Sequence, residues 1–154
     1  MTDKELMELA LKQGELAFLE GEVPIGAVVS LDGQVISVGR NKRETIKNAL
    51  SHAELEAIDG ACRALGGWRL HRCELFVTLE PCPMCAGAII NARIKRVVFG
   101  AYDKKQGCFG SVSNFNSLPF NHKVELVGGF MEEESKKLLQ DFFRELRERK
   151  KLEK

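Results

Sequence analysis

The stretch TLEPCPMCAGAII, Thr78 to Ile90, holds two cysteines three positions apart, with a proline before each of them. It overlaps the end of an apolar run, CELFVTL, which predicts a buried strand that ends before the first proline. Pro83 suits the first turn of a helix, because its missing N–H needs no partner there and its φ is already helical. Cys82 and Cys85 are therefore predicted at the amino end of a helix, where the helix dipole favours thiolates.

Thiolates in this position favour either redox chemistry or a soft metal ion. A CxxC pair at a helix start after a strand is also typical of a thioredoxin-like site, so the pair alone leaves a thiol oxidoreductase open. Thirty residues upstream, the segment SHAELEAI places His52 and Glu54 at the start of another predicted helix. On its own, His52 would be interpreted as a surface or helix-capping residue. Together with Cys82 and Cys85 it forms a set of residue types that bind zinc.

Three protein ligands with one open position are typical of a catalytic zinc that holds water, whereas a structural zinc takes four protein ligands. No fourth ligand has recognisable spacing among Cys62, Cys73, Cys108, His71 and His122. Glu54 fits a catalytic site, because a carboxylate beside the water can take its proton and return it to the substrate. A zinc-stabilised RNA-binding module without catalysis would require the missing fourth ligand.

The pattern along the chain alternates helices and strands, which predicts one α/β domain over residues 1–154. Helices are predicted at 3–20, 52–65, 83–94 and 131–150, and strands at 23–31, 34–39, 73–79, 96–102 and 123–129. Asp32-Gly33 predicts a two-residue hairpin. The segment 103–120 is predicted to be a loop of the length that usually carries function.

Charge and composition narrow the possible partners and compartments. The net charge is only +1, but residues 61–123 hold nine Lys or Arg against three acids. This excess is compatible with a polyanionic partner and equally with a solvated surface of mixed charge. The candidate phosphate contacts are Arg63, Arg69, Arg72, Arg93, Lys95, Arg96 and the C-terminal run RELRERKK. No apolar run approaches membrane-spanning length, the N-terminus does not resemble a signal peptide, and five cysteines form no disulfide framework. We therefore expect a cytoplasmic protein without membrane contact.

The motifs HAE at 52–54 and PCPMC at 81–85 resemble the H-x-E and P-C-x-x-C signature of zinc-dependent deaminases. The likeness runs from about residue 5 to 149, where five segments are similar to bacterial tRNA adenosine deaminases: EGEVPIGAVV, GRNK, LEPCPMCAGAI, VVFGAYDKKQG and NHKVELVGG. One departure is KNALSHAE, since many relatives carry an Asp-Pro-Thr run before the histidine.

This resemblance implies a cytidine-deaminase-like α/β/α fold, with a mixed central sheet of about five strands between two helix layers. It implies one Zn²⁺ per subunit held by His52, Cys82 and Cys85, with Glu54 as the catalytic residue. The implied reaction is hydrolytic deamination of adenosine to inosine at the wobble position of a tRNA anticodon loop, with arginine tRNA as the expected species. A homodimer is also implied. A free-base or nucleoside deaminase of the guanine or cytidine type remains an alternative.

The expected substrate contacts are Asn41, Val23, Pro24, Ile25, Ala53 and Asp103. By resemblance, Asn41 reads the base edge and the Val23–Ile25 segment lines an apolar wall. Asp103 is expected to accept a hydrogen bond from a ribose 2′-OH, which distinguishes RNA from DNA. Asn41 and Asp103 would equally suit turn caps, and Val23 and Ile25 would equally suit the core of a strand.

Overall fold

Four α-helices and five strands alternate along residues 1–153, the part of the chain that the computed structural model describes. The elements are α1 (Asp3–Leu19), β1 (Gly26–Leu31), β2 (Gln34–Arg40), α2 (Ala53–Leu65), β3 (Cys73–Leu79), α3 (Pro83–Asn91), β4 (Arg96–Ala101), β5 (Glu125–Val127) and α4 (Glu132–Leu152). One turn of 3-10 helix, Phe115–Ser117, lies in the long loop before β5. None of the helices in the described part of the chain has the length and apolar character to cross a bilayer.

The strands form one mixed sheet in the order β2-β1-β3-β4-β5. Strand β1 is antiparallel to β2 and β3, whereas β3, β4 and β5 run parallel. The predicted hairpin joins β1 to β2, and its two turn residues adopt left-handed φ values of 50° at Asp32 and 77° at Gly33. The sheet confirms the mixed five-stranded arrangement that the family resemblance implies.

Alternate residues of the central strands enter two separate cores, one on each face of the sheet. Helices α2 and α3 cover one face, through Ala57, Ala61, Ala86 and Ile89 against Val29, Leu75, Val77 and Val97. Helix α1 covers the other face, through Leu6, Met7 and Ala10 against Val28, Phe76 and Val98. Helix α4 lies beside α1, where Phe142 packs edge-on against Phe18 and Phe143 stays exposed. The three-layer α/β/α fold is confirmed.

Several predicted element boundaries are wrong. Strand β5 spans only Glu125–Val127 rather than 123–129. Strand β1 begins at Gly26 rather than residue 23, because Pro24 has no N–H to donate and the Ile25 N–H turns back to the Val23 carbonyl at 2.8 Å. Helix α3 ends at Asn91, three residues early. There Arg93 takes a left-handed φ of 64°, and its guanidinium donates to the last carbonyls of the helix.

The sheet brings the amino ends of α2 and α3 to one edge. The end of β2 pairs with the start of β1, and that start also pairs with the end of β3. Gly39, near the end of β2, permits close approach of α2, since a Cβ there would overlap the backbone of Ala53 and Ala57. The first turn of α2 is therefore held beside the point where β3 passes into α3.

Candidate metal centre

The three predicted metal ligands occupy the first turns of two neighbouring helices. His52 is the N-cap of α2 and Cys82 the N-cap of α3, both with extended backbones, and Cys85 lies in the first turn of α3. An N-cap side chain usually accepts a hydrogen bond from its own helix. Neither His52 nor Cys82 makes such a bond, which leaves the imidazole and the thiol free to face each other across the gap.

The distances among these side chains match those between the ligands of one zinc ion. His52 Nδ1 lies 3.6 Å from Cys82 Sγ and 3.6 Å from Cys85 Sγ, and all three atoms are within 4.8 Å of one another. Zinc–nitrogen and zinc–sulfur bonds of about 2.0–2.1 and 2.3 Å, at a tetrahedral angle, separate nitrogen and sulfur by about 3.6 Å. Within residues 1–153, the group contains no fourth His, Cys, Asp or Glu. The arrangement therefore suits a metal with one open position.

The two thiols differ in acidity because they share a proton. The hydrogen bond from Cys85, supported by the one from His52, lowers the pKa of Cys82 to about 4. The same contact with Cys82 raises the pKa of Cys85, and burial raises it further. The pair thus presents one thiolate before a metal binds, and a metal held by both sulfurs displaces the second proton.

Glu54 follows His52 by two positions and lies beside the metal group in the first turn of α2. Its carboxyl is only 4% exposed, and burial raises its pKa to about 7. The negative charge of Cys82 acts in the same direction. A carboxyl with a pKa near neutrality exchanges protons in both directions at ordinary pH, as general acid–base catalysis requires.

A cavity of about 100 Å³ opens beside His52, lined by Val23, Ile25, Asn41, Arg43, His52 and Ala53. It brings together four of the six expected substrate contacts, whereas Pro24 and Asp103 do not line it. Asn41 is buried and held at both ends of its amide. Its Nδ2 donates to the Val23 carbonyl at 3.3 Å, and its Oδ1 accepts from the Arg43 N–H at 3.1 Å. Asn41 therefore shapes this wall, and its contact with a base stays a prediction.

Asp103 occupies a turn at the start of the long loop. Its Oδ1 accepts from the backbone N–H groups of Lys105 and Gln106 at 3.0 and 3.1 Å. This is the turn cap that the sequence also allows. Its contact with a ribose hydroxyl stays a prediction.

The basic segment contributes fewer free cations than its composition indicates. Arg96 is held by Asp3 and Glu74, with nitrogen–oxygen distances of 2.6 and 2.7 Å. The hydrogen bond from Arg96 also lowers the pKa of Asp3. Arg63 and Arg72 make exposed ion pairs with neighbouring aspartates. These ion pairs leave Arg96 less available to phosphate than its position in the sequence indicates, and its contact with RNA stays a prediction.

Sequence reasoning missed two features near the metal group. Arg43 lines the cavity, although the GRNK segment just before it was singled out. Glu80 is a fully buried carboxylate two residues before Cys82. The signal for Glu80 is present in LEPC, where an acid directly follows a strand with a buried pattern.

Comparison with known proteins places this arrangement in a family. The sequence model described as MafB19-like deaminase matches residues 1–147. The tRNA-specific adenosine deaminase of Bacillus subtilis is 51% identical over 153 residues, which span 98% of this chain and 95% of that protein.

Solved structures agree with these sequence matches. One, from biochemical and structural studies of A-to-I editing by tRNA:A34 deaminases at the wobble position of transfer RNA, superposes with a TM-score of 0.86 at 44% identity. The match covers 88% of this chain and 99% of the other. A guanine deaminase from Nitrosomonas europaea shares the fold, with a TM-score of 0.77 at 21% identity over 92% of this chain and 84% of the other. The chain belongs to the tRNA-specific adenosine deaminase family.

Proposed function

We propose that this chain deaminates adenosine to inosine by hydrolysis at the wobble position of a tRNA anticodon loop, with arginine tRNA as the species. The observation that carries the proposal is the group of His52, Cys82 and Cys85 at two facing helix starts, with Glu54 buried beside it. This set lies within a chain whose relatives are tRNA-specific adenosine deaminases. A thiol oxidoreductase needs neither the histidine nor the adjacent carboxyl.

The metal that this group suits is zinc. Two thiolates and one neutral imidazole form a soft, compact donor set, and zinc accepts such ligands in tetrahedral geometry. When bound, zinc supplies a Lewis acid that makes a water molecule nucleophilic at neutral pH. His52, Cys82 and Cys85 would hold the ion, and the ring atom of His52 nearest to both sulfurs is Nδ1, at 3.6 Å from each.

Glu54 moves the protons that hydrolysis requires. It takes a proton from the attacking water and delivers it to the ring nitrogen beside C6. It then takes the remaining proton from the hydroxyl now attached to C6 and gives it to the exocyclic amine, so that the C6–amine bond breaks, ammonia leaves and the C6 carbonyl of inosine forms. Burial of its carboxyl keeps bulk water from competing for these transfers.

The size and position of the cavity favour a substrate base that is not stacked within a duplex. We expect the cavity of about 100 Å³ beside His52 to take the base alone and to leave the ribose and phosphates outside. Anticodon loops present unstacked bases, whereas extraction of a base from a duplex costs a few kcal/mol. The loop that begins at Asp103 carries the exposed Lys104 and Lys105, which suit flanking phosphates.

The remaining expectations are parts of the same proposal. We infer that residues 1–154 form one deaminase domain, since a single sheet takes strands from most of the chain. A cytoplasmic location follows from the tRNA substrate. The homodimer stays a prediction that sedimentation at working concentration tests.

If Cys82 binds zinc, replacing it with serine should remove the metal, whereas the same replacement at a cysteine outside the metal group should not. Cys82→Ser removes a thiolate and should abolish stoichiometric zinc, and it should lower the melting temperature because zinc links the starts of α2 and α3. Cys62→Ser makes the same change in the body of α2, outside the metal group, and should retain one zinc per chain. Metal analysis and thermal unfolding of both variants measure this. Full zinc content in Cys82→Ser would exclude the assigned site.

The catalytic role of Glu54 predicts loss of turnover without loss of metal. Glu54→Gln preserves size but cannot accept the proton, so kcat should fall by about 10²–10⁴-fold, the usual contribution of a general acid–base. Zinc content and stability should change little. Glu56→Gln, the same substitution two residues along α2, should keep wild-type turnover. A Glu54→Gln enzyme with normal kcat would contradict the mechanism.

The substrate assignment predicts a ranking of substrates. Ammonia release should be rapid on an arginine-tRNA anticodon hairpin with adenosine at the wobble position. Release should be very slow on free adenosine, cytidine or guanine, because these lack the remote contacts whose binding energy lowers the barrier. Activity on the hairpin should fall steeply with added salt. Rapid turnover of a free base or nucleoside with none on the hairpin would instead indicate a metabolic deaminase.

A further inference from the structure

Glu80 is a buried carboxylate that the proposed chemistry does not use. It lies at the junction between β3 and α3, two residues before Cys82, and is only 1% exposed. A charged group in such a place is costly unless its oxygens are hydrogen-bonded. Its partners therefore indicate why the position holds an acid.

All four hydrogen bonds that Glu80 accepts come from one loop. Oε1 accepts from the Asp103 N–H at 3.0 Å and from the Ser111 hydroxyl at 2.5 Å. Oε2 accepts from the N–H groups of Phe109 and Ser111, both at 3.1 Å. An ionised carboxylate has about four acceptor sites, so the loop saturates it. We name residues 103–111 the mouth loop.

Close packing accompanies these bonds. Gly107 lies directly against the carboxyl group, and a Cβ at this position would overlap it. The next residue, Cys108, donates its N–H to the Pro81 carbonyl at 2.9 Å. The mouth loop is thus attached at both Glu80 and Pro81, immediately before the metal ligand Cys82.

Each of the four loop groups around Glu80 donates a hydrogen bond to it, so the position favours a carboxylate, which only accepts. A glutamine amide of the same size would place an NH₂ group against N–H donors of the loop, and at least one buried donor would lose its acceptor. The bonds span 23 to 31 residues of sequence and order a loop that carries the exposed Lys104 and Lys105. Ordering this loop before substrate arrives reduces the entropy lost on binding.

We infer that Glu80 is a positioning residue for the substrate: its carboxylate holds the mouth loop beside Cys82, so that the loop is preorganised to bind RNA next to the metal group. This inference rests on the proposed function for its account of RNA, but the attachment of the loop is independent of it. Glu80 acts through the loop and touches neither the metal nor the reacting base.

The first test measures the loop itself, without substrate. In Glu80→Gln, amide hydrogen exchange should accelerate at Asp103, Phe109 and Ser111 and stay unchanged in the body of α2. Glu22→Gln is the matched control, because Glu22 is equally buried and accepts from the N–H groups of Glu44 and Thr45 in a different loop. That control should accelerate exchange around residues 44–45 only. Unchanged exchange of the mouth loop in Glu80→Gln would overturn the inference.

The second test measures binding apart from chemistry on the anticodon hairpin. Glu80→Gln should raise KM about tenfold, as expected when a preorganised loop must be ordered on binding, and should leave kcat within about threefold. Zinc should remain stoichiometric. Glu8→Gln, on α1 across the sheet, and Gly67→Ala, where a Cβ meets open space, should match the wild type.

A second variant keeps the inference testable if Glu80→Gln does not fold. Gly107→Ala displaces the loop while it leaves the carboxylate in place, and should give the same rise in KM. If both single variants fold, their effects should not add in the double variant, because both act on one contact. Additive effects, a fall in kcat alone, or loss of zinc would each overturn the positioning role. A wild-type enzyme inactive on the hairpin would refute the proposed function, and exchange would still decide the loop attachment.

Discussion

The meeting of the first turns of α2 and α3 determines where every group of the metal centre lies. His52 and Cys82 are N-caps whose side chains do not cap, and they face each other because β2 and β3 deliver both helix starts to one edge of the sheet. Gly39 allows α2 to approach β2 closely enough for this meeting. Glu54 lies in the first turn of α2, two residues after His52, so the packing of α2 against the sheet positions the ligand and the carboxyl together.

Two buried carboxylates organise the loops on either side of this centre. Glu22, on the His52 side, accepts hydrogen bonds from the loop that contains Glu44 and Thr45. Glu80, on the Cys82 side, accepts them from the loop between Asp103 and Ser111. In both cases most of the bonds come from backbone N–H groups, and one more comes from a hydroxyl, that of Thr45 for Glu22 and that of Ser111 for Glu80. The fold thus fixes loop position while loop side chains remain available for RNA.

The sequence predicts those parts of the site that depend on local patterns. HAE and PCPMC each combine a helix start with reactive side chains, so the metal ligands were predicted from spacing and helix-start signals together. The positions of the strands were predicted from the alternating pattern and from Asp32-Gly33, whereas the mixed five-stranded sheet was implied by the family resemblance. By contrast, the ion pairs of Arg96 and the bonds of Glu80 join residues up to 93 and 31 positions apart, and no short pattern marks them. The start of β1 was misplaced because the apolar character of Val23 and Ile25 does not reveal the turn around Pro24.

The central claim is that one zinc ion binds His52, Cys82 and Cys85 and keeps one position open. X-ray absorption at the zinc edge of the purified chain tests it most directly, since sulfur and lighter ligands differ in scattering and distance. The account predicts two sulfur ligands at about 2.3 Å and two nitrogen or oxygen ligands at about 2.0–2.1 Å. Three or four sulfur ligands would indicate a structural site with further cysteines, and either that result or a chain that binds no zinc would contradict the account.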